Sequence, residues 1–334
     1  MKIALIAILA VLRFVLQAAP MVNPGEVWPD NRGQHIQAHG GGVIRLGDTW
    51  YWFGEDRSQD IPPRTRAVAC YSSGDLAHWQ FRNRVLTLTG AEVGIEPLVL
   101  ERPKVYHNPR TDKYVMYMHI DGHGYQTAEV GVAISDTIDG HYQFLHHFRP
   151  LGKESRDIGQ FIDDDGSAYL IFESRPTKGF FIAKLSDDYL DVAKETAFIQ
   201  APLEGGALVH YNGLYYLVGS QLTGWSPNAN KYATATRLEG PWSEFKDIAP
   251  PETKTYGSQS TNMIKVVGSK TTSVIFLGDI WKGTDKSLHD ARYLWMPLEI
   301  GNSNLWLPKP TPWSINVQTG EVTIQASKKK DYQQ

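Results

Sequence analysis

The 334-residue sequence predicts an all-β protein, and three observations support that prediction. Short runs of β-branched and aromatic residues alternate with Gly, Asn and Asp turns, which is the composition of strands and hairpins. Very few stretches have the 3.6-residue hydrophobic periodicity of an amphipathic helix. A hairpin module, two such runs joined by a tight turn, occurs five times at a spacing of roughly 45 to 60 residues, which is typical of repeated blades.

The module is clearest at residues 201–218. Asn212-Gly213 separates two apolar runs there and predicts a type I′ turn, because both central residues of that turn need positive φ. Glu204 precedes the first run and is followed by two glycines, so we expect a carboxylate just before the first strand. The other copies lie at residues 41–53, 102–117, 159–172 and 262–277.

A polar residue precedes every copy of the module. In a propeller the innermost strand of each blade begins near one end of the central channel, so residues at the same place in five blades converge. The sequence therefore predicts a five-bladed β-propeller with its active site at the central channel. The converging residues are Gln37 with His39, Glu101, Asp157, Glu204 and Gln259.

The segments around the hairpins fit the same architecture. Residues 22–35 are polar and rich in Gly and Pro, and they are placed to pair with the last blade and close the ring. The first blade is expected to run from His39 to about Leu86, with outer strands at 67–72 and around Trp79. Its linking segment, residues 72–79, has relatives at 133–142, 183–190 and 234–242, so the outer half of the blade repeats as well.

The two ends of the chain are predicted to lie outside this domain. Residues 1–19 combine a basic start, an apolar run and Ala18-Ala19, the pattern of a secretory signal peptide, so we expect a secreted or periplasmic protein. A membrane anchor or a disordered leader is the alternative, and no other run is long enough to cross a bilayer. Residues 20–326 are predicted to form the catalytic propeller, and the charged residues 327–334 a disordered tail.

Composition and spacing argue against several kinds of function. A net charge of −3 gives no indication of a basic surface that would bind nucleic acid. The single cysteine, Cys70, lies in a strand-like run, which favours a buried and inert thiol. No Cys/His set has zinc-ligand spacing, and we expect neither a metal nor a cofactor. Asp163-Asp164-Asp165-Gly166 has the look of a calcium loop, but Asp-Gly between two strands is better interpreted as a hairpin turn.

Eight short motifs spread over about residues 25–325 point to a family. They are Gln37-Ala38-His39-Gly40, Trp52-Phe53-Gly54-Glu55-Asp56, Glu101-Arg102-Pro103-Lys104-Val105, Ser155-Arg156-Asp157, residues 163–170, residues 224–228, residues 247–250 and residues 313–318. Together they resemble glycoside hydrolase family 43, and within it the branch of exo-β-1,3-galactanases. That resemblance implies a five-bladed propeller with its active site at the central channel.

The resemblance also implies roles for individual residues. Glu204 corresponds to the family's general acid, and Asp157 to the carboxylate that raises the pKa of that acid and holds it in place. Glu101 and Gln259 correspond to positions that face the substrate. Further sugar contacts are implied for Glu55, Tyr125 and Thr223.

One position departs from most of the family. Where other members have an aspartate as general base, this chain has Gln37-Ala38-His39. The galactanase branch resembles the chain in lacking that base, and Gln259 is its suggested substitute, either holding the water or acting through its imidic tautomer. Gln37 is retained as a candidate substrate contact.

Inverting hydrolysis needs an acid on one side of the scissile bond and a water-activating group on the other, about 6.5–9.5 Å apart. The acid must keep its proton near neutral pH, which a neighbouring carboxylate achieves because two like charges resist joint ionisation. We expect Asp157 beside Glu204 to form that pair. Trp225 is the candidate platform for a sugar ring, since aromatic faces suit its C–H surface.

The predicted function is therefore inverting release of galactose from the non-reducing end of β-1,3-galactan. We expect a monomer whose partner is an oligo- or polysaccharide. The same fold acting on α-L-arabinofuranosides or β-xylosides is one alternative, and a non-catalytic carbohydrate-binding propeller is another, because the usual base is missing. At residue level, the alternatives are a solvated Glu204, an Asp157 that only pairs with Arg156, and a Trp225 that packs at a blade edge.

Overall fold

The structure is a computed structural model that describes residues 20–281 and 288–325. The predicted signal peptide at residues 1–19 and the predicted tail at residues 327–334 lie outside the described residues, as does Ala326. No helix in the described part of the chain is long and apolar enough to span a membrane.

Five antiparallel sheets, each with its strands in chain order, form the blades of a five-bladed propeller, as predicted. The first blade contains β1 (His39–Leu46), β2 (Thr49–Asp56), β3 (Thr65–Ser73) and β4 (Gln80–Thr89). The second contains β5 (Val99–Asn108), β6 (Lys113–Asp121), β7 (Glu129–Ser135) and β8 (Gln143–Phe148). The third contains β9 (Ile158–Ile162), β10 (Ala168–Ser174), β11 (Gly179–Leu185) and β12 (Val192–Gln200).

The fourth and fifth blades complete the ring. They consist of β13 (Leu203–Tyr211), β14 (Leu214–Gln221), β15 (Lys231–Ala235) and β16 (Lys246–Asp247), and then β17 (Gln259–Val267), β18 (Thr272–Ile280) and β19 (Arg292–Pro297). Two small hairpins follow, β20 (Glu299–Gly301) with β21 (Asn304–Trp306) and β22 (Trp313–Ile315) with β23 (Val322–Ile324). The described helices are α1 (Gly90–Val93) and 3₁₀ turns at Pro150–Gly152, Pro251–Thr253, Thr255–Gly257 and Leu288–Asp290.

The first strands of the blades surround the axis of the ring. β1, β5, β9, β13 and β17 each pack against the next, and β17 packs against β1. The N-terminal segment closes the ring as predicted: the Gly25 N–H donates to the Tyr293 carbonyl of β19 at 2.8 Å, and Val22 pairs with Trp313. Lys104 of β5 is fully buried and bonds β5 to β1, donating to the carbonyls of Gly40 and Gly41 at 2.6 and 2.8 Å.

The hydrophobic core lies between neighbouring blades. Trp52 of the first blade and Trp295 of the fifth pack with ring centroids 4.6 Å apart, and Trp28 and Trp79 join the same cluster. Such aromatic pairs contribute roughly 0.5–1.5 kcal/mol each beyond the area they bury. Cys70 is fully buried, and burial raises the pKa of its thiol, in agreement with the prediction of an inert cysteine.

The predicted turns are confirmed. Asn212 and Gly213 both have positive φ, at 50° and 75°, as a type I′ turn between β13 and β14 requires. Residues 163–166 form the hairpin turn between β9 and β10, in which the Gly166 N–H donates to the Asp163 carbonyl at 2.9 Å. The first blade ends at Thr89 rather than near Leu86.

A β-bulge near the start of the first strand corrects one detail of the prediction. Glu204 and Glu101 lie inside β13 and β5, not before them, because the strand pairing continues on both sides of the bulge. The residue after each carboxylate is left-handed, with φ of 64° at Gly205 and 51° at Arg102. Bulges of this kind re-aim a side chain, and here they occur where the strands meet the cavity.

Candidate active site

A cavity of about 240 Å³ opens at the end of the channel where the first strands begin. All predicted site residues line it except Gln37 and Thr223. The prediction that polar residues from the separate blades converge there is therefore correct for the second to fifth blades. The lining residues are Glu55, Glu101, Arg102, His119, Tyr125, Arg156, Asp157, Arg175, Glu204, Gly224, Trp225, Gln259 and Trp281.

The carboxyl group of Glu204 is buried and held by two donors. Arg175 Nη2 donates to Oε2 at 2.6 Å, and Gln259 Nε2 donates to Oε1 at 3.1 Å. Burial is the main cause that raises the pKa of Glu204 to about 8, and the negative charge of Asp157 raises it further, while Arg175 opposes both. Glu204 therefore carries a proton at neutral pH and can donate it.

Arg102 connects Asp157 to the rest of the cavity. Asp157 comes directly before β9, and its Oδ2 lies 2.8 Å from Arg102 Nη2. Arg156, which the sequence offers as an alternative partner for Asp157, instead lies 3.9 Å from Glu154.

Arg102 occupies the left-handed bulge position where the equivalent residues in β1 and β13 are glycines, an unusual place for a long side chain. Its guanidinium explains the exception, since it reaches both Asp157 and Gln259.

The amide of Gln259 uses all of its hydrogen-bonding capacity. Its Oε1 accepts from Arg102 Nη2 at 2.7 Å and from Trp281 Nε1 at 2.8 Å. Its Nε2 donates to Glu204 Oε1 and to Ser220 Oγ, at 3.1 and 2.9 Å. Arg102 and Trp281 can only donate, so the orientation of the amide is fixed. Gln259 thus contacts Glu204 directly, at a distance much shorter than the separation expected between a general acid and an opposing water-activating group.

Glu101 is an ionised carboxylate on the wall of the same cavity. Burial opposes its ionisation, but the hydrogen bond and charge of His119, 3.2 Å away, lower the pKa of Glu101 to about 2. His119 is itself buried between Glu101 and Asp121, and those two carboxylates outweigh desolvation and raise its pKa to about 9. The Tyr125 hydroxyl donates to Glu101 Oε1 at 2.8 Å.

Glu55 lies beside this pair. Its Oε1 accepts from the Arg102 backbone N–H at 3.1 Å, and its Oε2 accepts from Arg57 Nε at 2.9 Å. Burial raises the pKa of Glu55, and the charge of Arg57 opposes that rise. Glu55 thus adds a fourth carboxyl group to the cavity wall, next to Glu101.

An aromatic pair forms the rim of the cavity. Trp225 is 39% exposed and meets Trp281 edge to face, with ring centroids 5.1 Å apart. Thr223 is not at the cavity wall: its hydroxyl donates to the Ser226 carbonyl at 2.6 Å and accepts from Asn228, so it shapes the loop that presents Trp225. The exposed face of Trp225 suits stacking on a sugar ring.

Gln37 is buried and does not line the cavity. Its side chain donates to the His289 carbonyl at 3.0 Å and contacts His39 Nε2 at 3.1 Å. His39, not Gln37, has the bulge register that Glu101 has in the second blade, because His39 pairs with Glu55 of β2 as Glu101 pairs with His119 of β6. Burial lowers the pKa of His39 to about 3, so this histidine is neutral.

Sequence reasoning missed several residues that the structure brings to the site. Two of them face a predicted residue across the hairpin: His119 pairs with Glu101, and Ser220 pairs with Glu204. The hairpin register could have identified both, had the bulges been recognised. Arg175 and Trp281 follow the ends of second strands, and no motif singled them out.

A second group of titratable side chains lies at the hairpin turns. Ligand atoms of Asp163, Asp164 and His210 lie within 4.8 Å of one another. Their carboxylates are also bonded by neighbours, since Tyr215 donates to Asp163 at 2.7 Å and Lys265 pairs with Asp164. An ammonium group at this position competes with any cation for the same oxygens.

The arrangement in the main cavity suits acid-assisted cleavage of a polar bond. A protonated carboxyl, Glu204, faces a space that also contains an ionised carboxylate, Glu101. The first can protonate a leaving oxygen, and the second can stabilise the positive charge that develops at the carbon it leaves. Two carboxyl groups whose environments push their pKa values apart are the usual basis of such a division of roles.

Comparison with known proteins agrees with this geometry. The profile of "Glycosyl hydrolases family 43" matches residues 39–277, well over half of the chain. A comparison with curated protein sequences gave no match.

Several solved structures are similar over most of the chain. A variant of the exo-β-1,3-galactanase from Phanerochaete chrysosporium, crystallised with β-1,3-galactotriose, is 37% identical with a TM-score of 0.84, covering 92% of this chain and 71% of that one. The exo-β-1,3-galactanase from Clostridium thermocellum is 34% identical, with a TM-score of 0.83 and coverage of 91% and 68%. A protein from Bifidobacterium bifidum, described as a putative exo-β-1,3-galactanase, is 36% identical, with a TM-score of 0.80 and coverage of 86% and 96%.

The profile match and the identity to these structures lead to one conclusion. The chain belongs to glycoside hydrolase family 43.

Proposed function

We propose that this glycosidase releases galactose from the non-reducing end of β-1,3-galactan, with inversion at the anomeric carbon. The observation that carries the proposal is the buried carboxyl of Glu204, whose pKa is raised to about 8 by burial and by Asp157, in a cavity shared with Glu101 and Gln259. The choice of galactan is supported by relatives that are exo-β-1,3-galactanases, one of them crystallised with β-1,3-galactotriose.

Glu204 acts as the general acid in this proposal. Its proton passes to the glycosidic oxygen as the bond from that oxygen to the anomeric carbon breaks, so that the rest of the chain leaves as an alcohol. Arg175 and Gln259 then donate to the resulting carboxylate. Asp157 contributes the negative charge that keeps the proton on Glu204 before the reaction.

A water molecule completes the reaction by bonding to the anomeric carbon and giving up a proton, and two groups are candidates to take it. Gln259 is the substitute base that the sequence suggests, but its amide can bind a water only after a substrate displaces one of its four partners. Glu101 is ionised, and among the described residues each of its oxygens accepts only one hydrogen bond, which leaves a lone pair for a water. Turnover of Gln259→Ala and Glu101→Ala with added azide separates them, because a small anion restores activity only where the activating group has been lost.

The substrate is tested by direct comparison. The purified protein is incubated with β-1,3-galactotriose, and in parallel with arabino- and xylo-oligosaccharides of the same length. We expect galactose and galactobiose from the first and no release from the others. Release of arabinose or xylose instead would keep the role of Glu204 and overturn the substrate. Binding without release from any of them would favour a carbohydrate-binding propeller.

The proposed function favours export of the protein. A galactan backbone is too large to pass a membrane intact, so an enzyme that trims the polymer has to meet it outside the cytoplasm. We therefore propose that residues 1–19 direct secretion. N-terminal sequencing of the exported protein tests this, with a mature chain that begins close to residue 19 as the expected result and retention of Met1 as the contrary one.

A further inference from the structure

Arg175 joins two carboxyl groups at the wall of the cavity. Its Nη2 donates to Glu204 Oε2 at 2.6 Å, and its Nε donates to Glu173 Oε1. Arg175 follows β10 of the third blade, whereas Glu204 belongs to β13 of the fourth, so the guanidinium crosses the boundary between the blades. An arginine can hold two carboxyl groups in fixed directions because its donors form a planar fork.

Glu173 is the inner end of this bridge. It is 1% exposed, and its Oε2 has no hydrogen-bond partner among the described residues. Burial is the main cause that raises the pKa of Glu173 to about 7; the charge of Asp157 adds to the rise, and Arg175 and Arg156 oppose it. Glu173 is linked to Glu204 through the guanidinium of Arg175. A buried carboxyl oxygen without a hydrogen-bond partner destabilises the fold, so stability alone does not explain why Glu173 is at this position.

We propose that Arg175 and Glu173 are positioning residues for the general acid: Arg175 orients the carboxyl of Glu204 and stabilises it after proton transfer, and Glu173 holds Arg175 in place. This inference rests on the proposed function of Glu204. Arg175 fixes Oε2 and Gln259 fixes Oε1, so the plane of the carboxyl group is defined before a substrate arrives. A fixed carboxyl loses little entropy in the transition state.

The two residues act on the acid with opposite sign. In the described part of the chain, the largest charge effects on Glu204 come from two carboxylates and two guanidinium groups. Asp157 and Glu173 favour its protonated form, and Arg175 and Arg102 favour its carboxylate. Neutralising Glu173 therefore lowers the pKa of Glu204. Removing Arg175 raises the pKa of Glu204. It also raises the pKa of Glu173, which then stays protonated, so that no unpaired charge is buried.

The first experiment measures Glu204 itself and needs no substrate. The protein is labelled with ¹³C at glutamate side-chain carboxyls, and the Glu204 signal is assigned by its loss in Glu204→Gln. Titration is then repeated in Glu173→Gln and Arg175→Met. We expect the midpoint of Glu204 to move to lower pH in the first variant and to higher pH in the second.

The second experiment measures the pH dependence of turnover. The pH at which kcat falls on the alkaline side should be lower in Glu173→Gln and higher in Arg175→Met, because this fall reports the loss of the proton from the acid. Arg175→Met should also lower kcat about 10- to 100-fold with little change in KM, since a misplaced acid affects the chemical step more than binding. Arg175→Lys keeps the charge but lacks the planar fork that holds both carboxyls in fixed directions, so its kcat should lie between those of the wild type and Arg175→Met.

A matched control and a fold check complete the design. Arg110 forms an exposed ion pair with Asp187 away from the cavity, so Arg110→Met should leave both the titration and kcat unchanged. The double variant Glu173→Gln/Arg175→Met removes the bridge without leaving a charge behind, and it serves as the folded reference if Arg175→Met alone is unstable.

The outcomes separate the two levels of the proposal. If the wild type fails to cleave β-1,3-galactotriose, the proposed function is wrong, whatever the variants do. If the wild type cleaves it but the Glu204 midpoint is the same in Glu173→Gln, Arg175→Met and the double variant, the bridge has no influence on the acid and the inference is overturned. Shifts in the same direction in both single variants would also contradict it.

Discussion

The most informative substitution in this protein is Glu204→Gln. It replaces the acid by an amide of nearly the same shape that has no proton to give. At pH 6 a carboxyl with a pKa of about 8 is about 99% protonated, whereas one at the ordinary value of 4.5 is only about 3% protonated. The cavity therefore increases the amount of proton donor about 30-fold at that pH, and the substitution removes all of it.

The expected loss of turnover follows from what a general acid contributes. Such a group accelerates a reaction about 10²- to 10⁴-fold, so kcat on β-1,3-galactotriose should fall by that factor. KM should change little, because the substitution leaves the other lining residues in place. A galactoside with a strongly acidic aryl alcohol as leaving group needs no proton, and its turnover should fall much less.

The same substitution has a structural cost that the contacts predict. Both partners of Glu204, Arg175 Nη2 and Gln259 Nε2, are donors, and Gln259 cannot rotate because its oxygen faces two further donors. A glutamine at 204 can accept from only one of them and turns its own donor toward the other. We expect a loss of about 1–3 kcal/mol in the free energy of unfolding, measured by urea denaturation.

Glu195→Gln is the matched control. Glu195 is exposed on the outer strand β12, so the same chemical change there should alter neither kcat nor the free energy of unfolding. The reasoning is refuted if Glu204→Gln cleaves β-1,3-galactotriose at nearly the wild-type rate. It is also refuted if the loss is as large for the activated aryl galactoside, since the missing group would then not be a proton donor.

Three further substitutions and one titration test the surrounding parts of the account. Turnover of the wild type should fall as the pH rises through about 8, and a pH-independent kcat up to pH 10 would contradict this. His119→Gln should lower the free energy of unfolding by roughly 3–5 kcal/mol near pH 5.5, because it breaks a buried ion pair. The raised pKa of His119 stabilises the fold fully below pH 6.5, and this stabilisation is lost as the pH rises through about 9; the lowered pKa of Glu101 stabilises it above pH 4.5, and that stabilisation is lost as the pH falls through about 2. An equal cost of the substitution at pH 9.5 would therefore argue against a charged pair. Trp225→Ala should raise KM roughly 2- to 10-fold, and an unchanged KM would mean that Trp225 only packs. Gly205→Ala should lower Tm more than Gly213→Ala, since both have positive φ but only the first puts a Cβ 2.8 Å from a backbone carbonyl; equal shifts would show that the contact does not matter.

Much of the fold follows from the sequence because hairpins are specified locally. Asn212-Gly213 can be recognised within a few residues, and five such modules at similar spacing leave few alternatives to a propeller. Convergence of Glu101, Asp157, Glu204 and Gln259 then follows from the geometry of the ring, without knowledge of any contact.

The partners of those residues could not be predicted with the same reasoning. His119 and Ser220 face the site only because a bulge shifts the hairpin register by one residue, and a bulge leaves a weak signal in the sequence. In β13 the glycines after Glu204 indicate a bulge, because glycine favours the left-handed conformation. In β5 Arg102 has that conformation, so the sequence gives no such indication there. The prediction for Gln37 fails for the same reason, since the register gives the equivalent position in β1 to His39, which is fully buried and does not line the cavity either.

Arg175 could not be predicted for a different reason. It follows a second strand, where polar residues are common, and nothing in the local sequence distinguishes an arginine that binds Glu204 from one that faces solvent. Its importance depends on a contact between blades, and that contact depends on the packing of the whole ring. Long-range ion pairs of this kind can be identified only once the blades are placed.

The measurement that tests the central claim most directly is the anomeric configuration of the first product. β-1,3-Galactotriose is incubated with the wild type inside an NMR tube, and the anomeric proton of the released galactose is followed before mutarotation. The account predicts that α-galactose appears first and that Glu204→Gln abolishes the signal. Initial release of β-galactose would contradict inversion, and with it the direct displacement by an activated water, since a retaining enzyme also uses an acid but first forms a covalent intermediate.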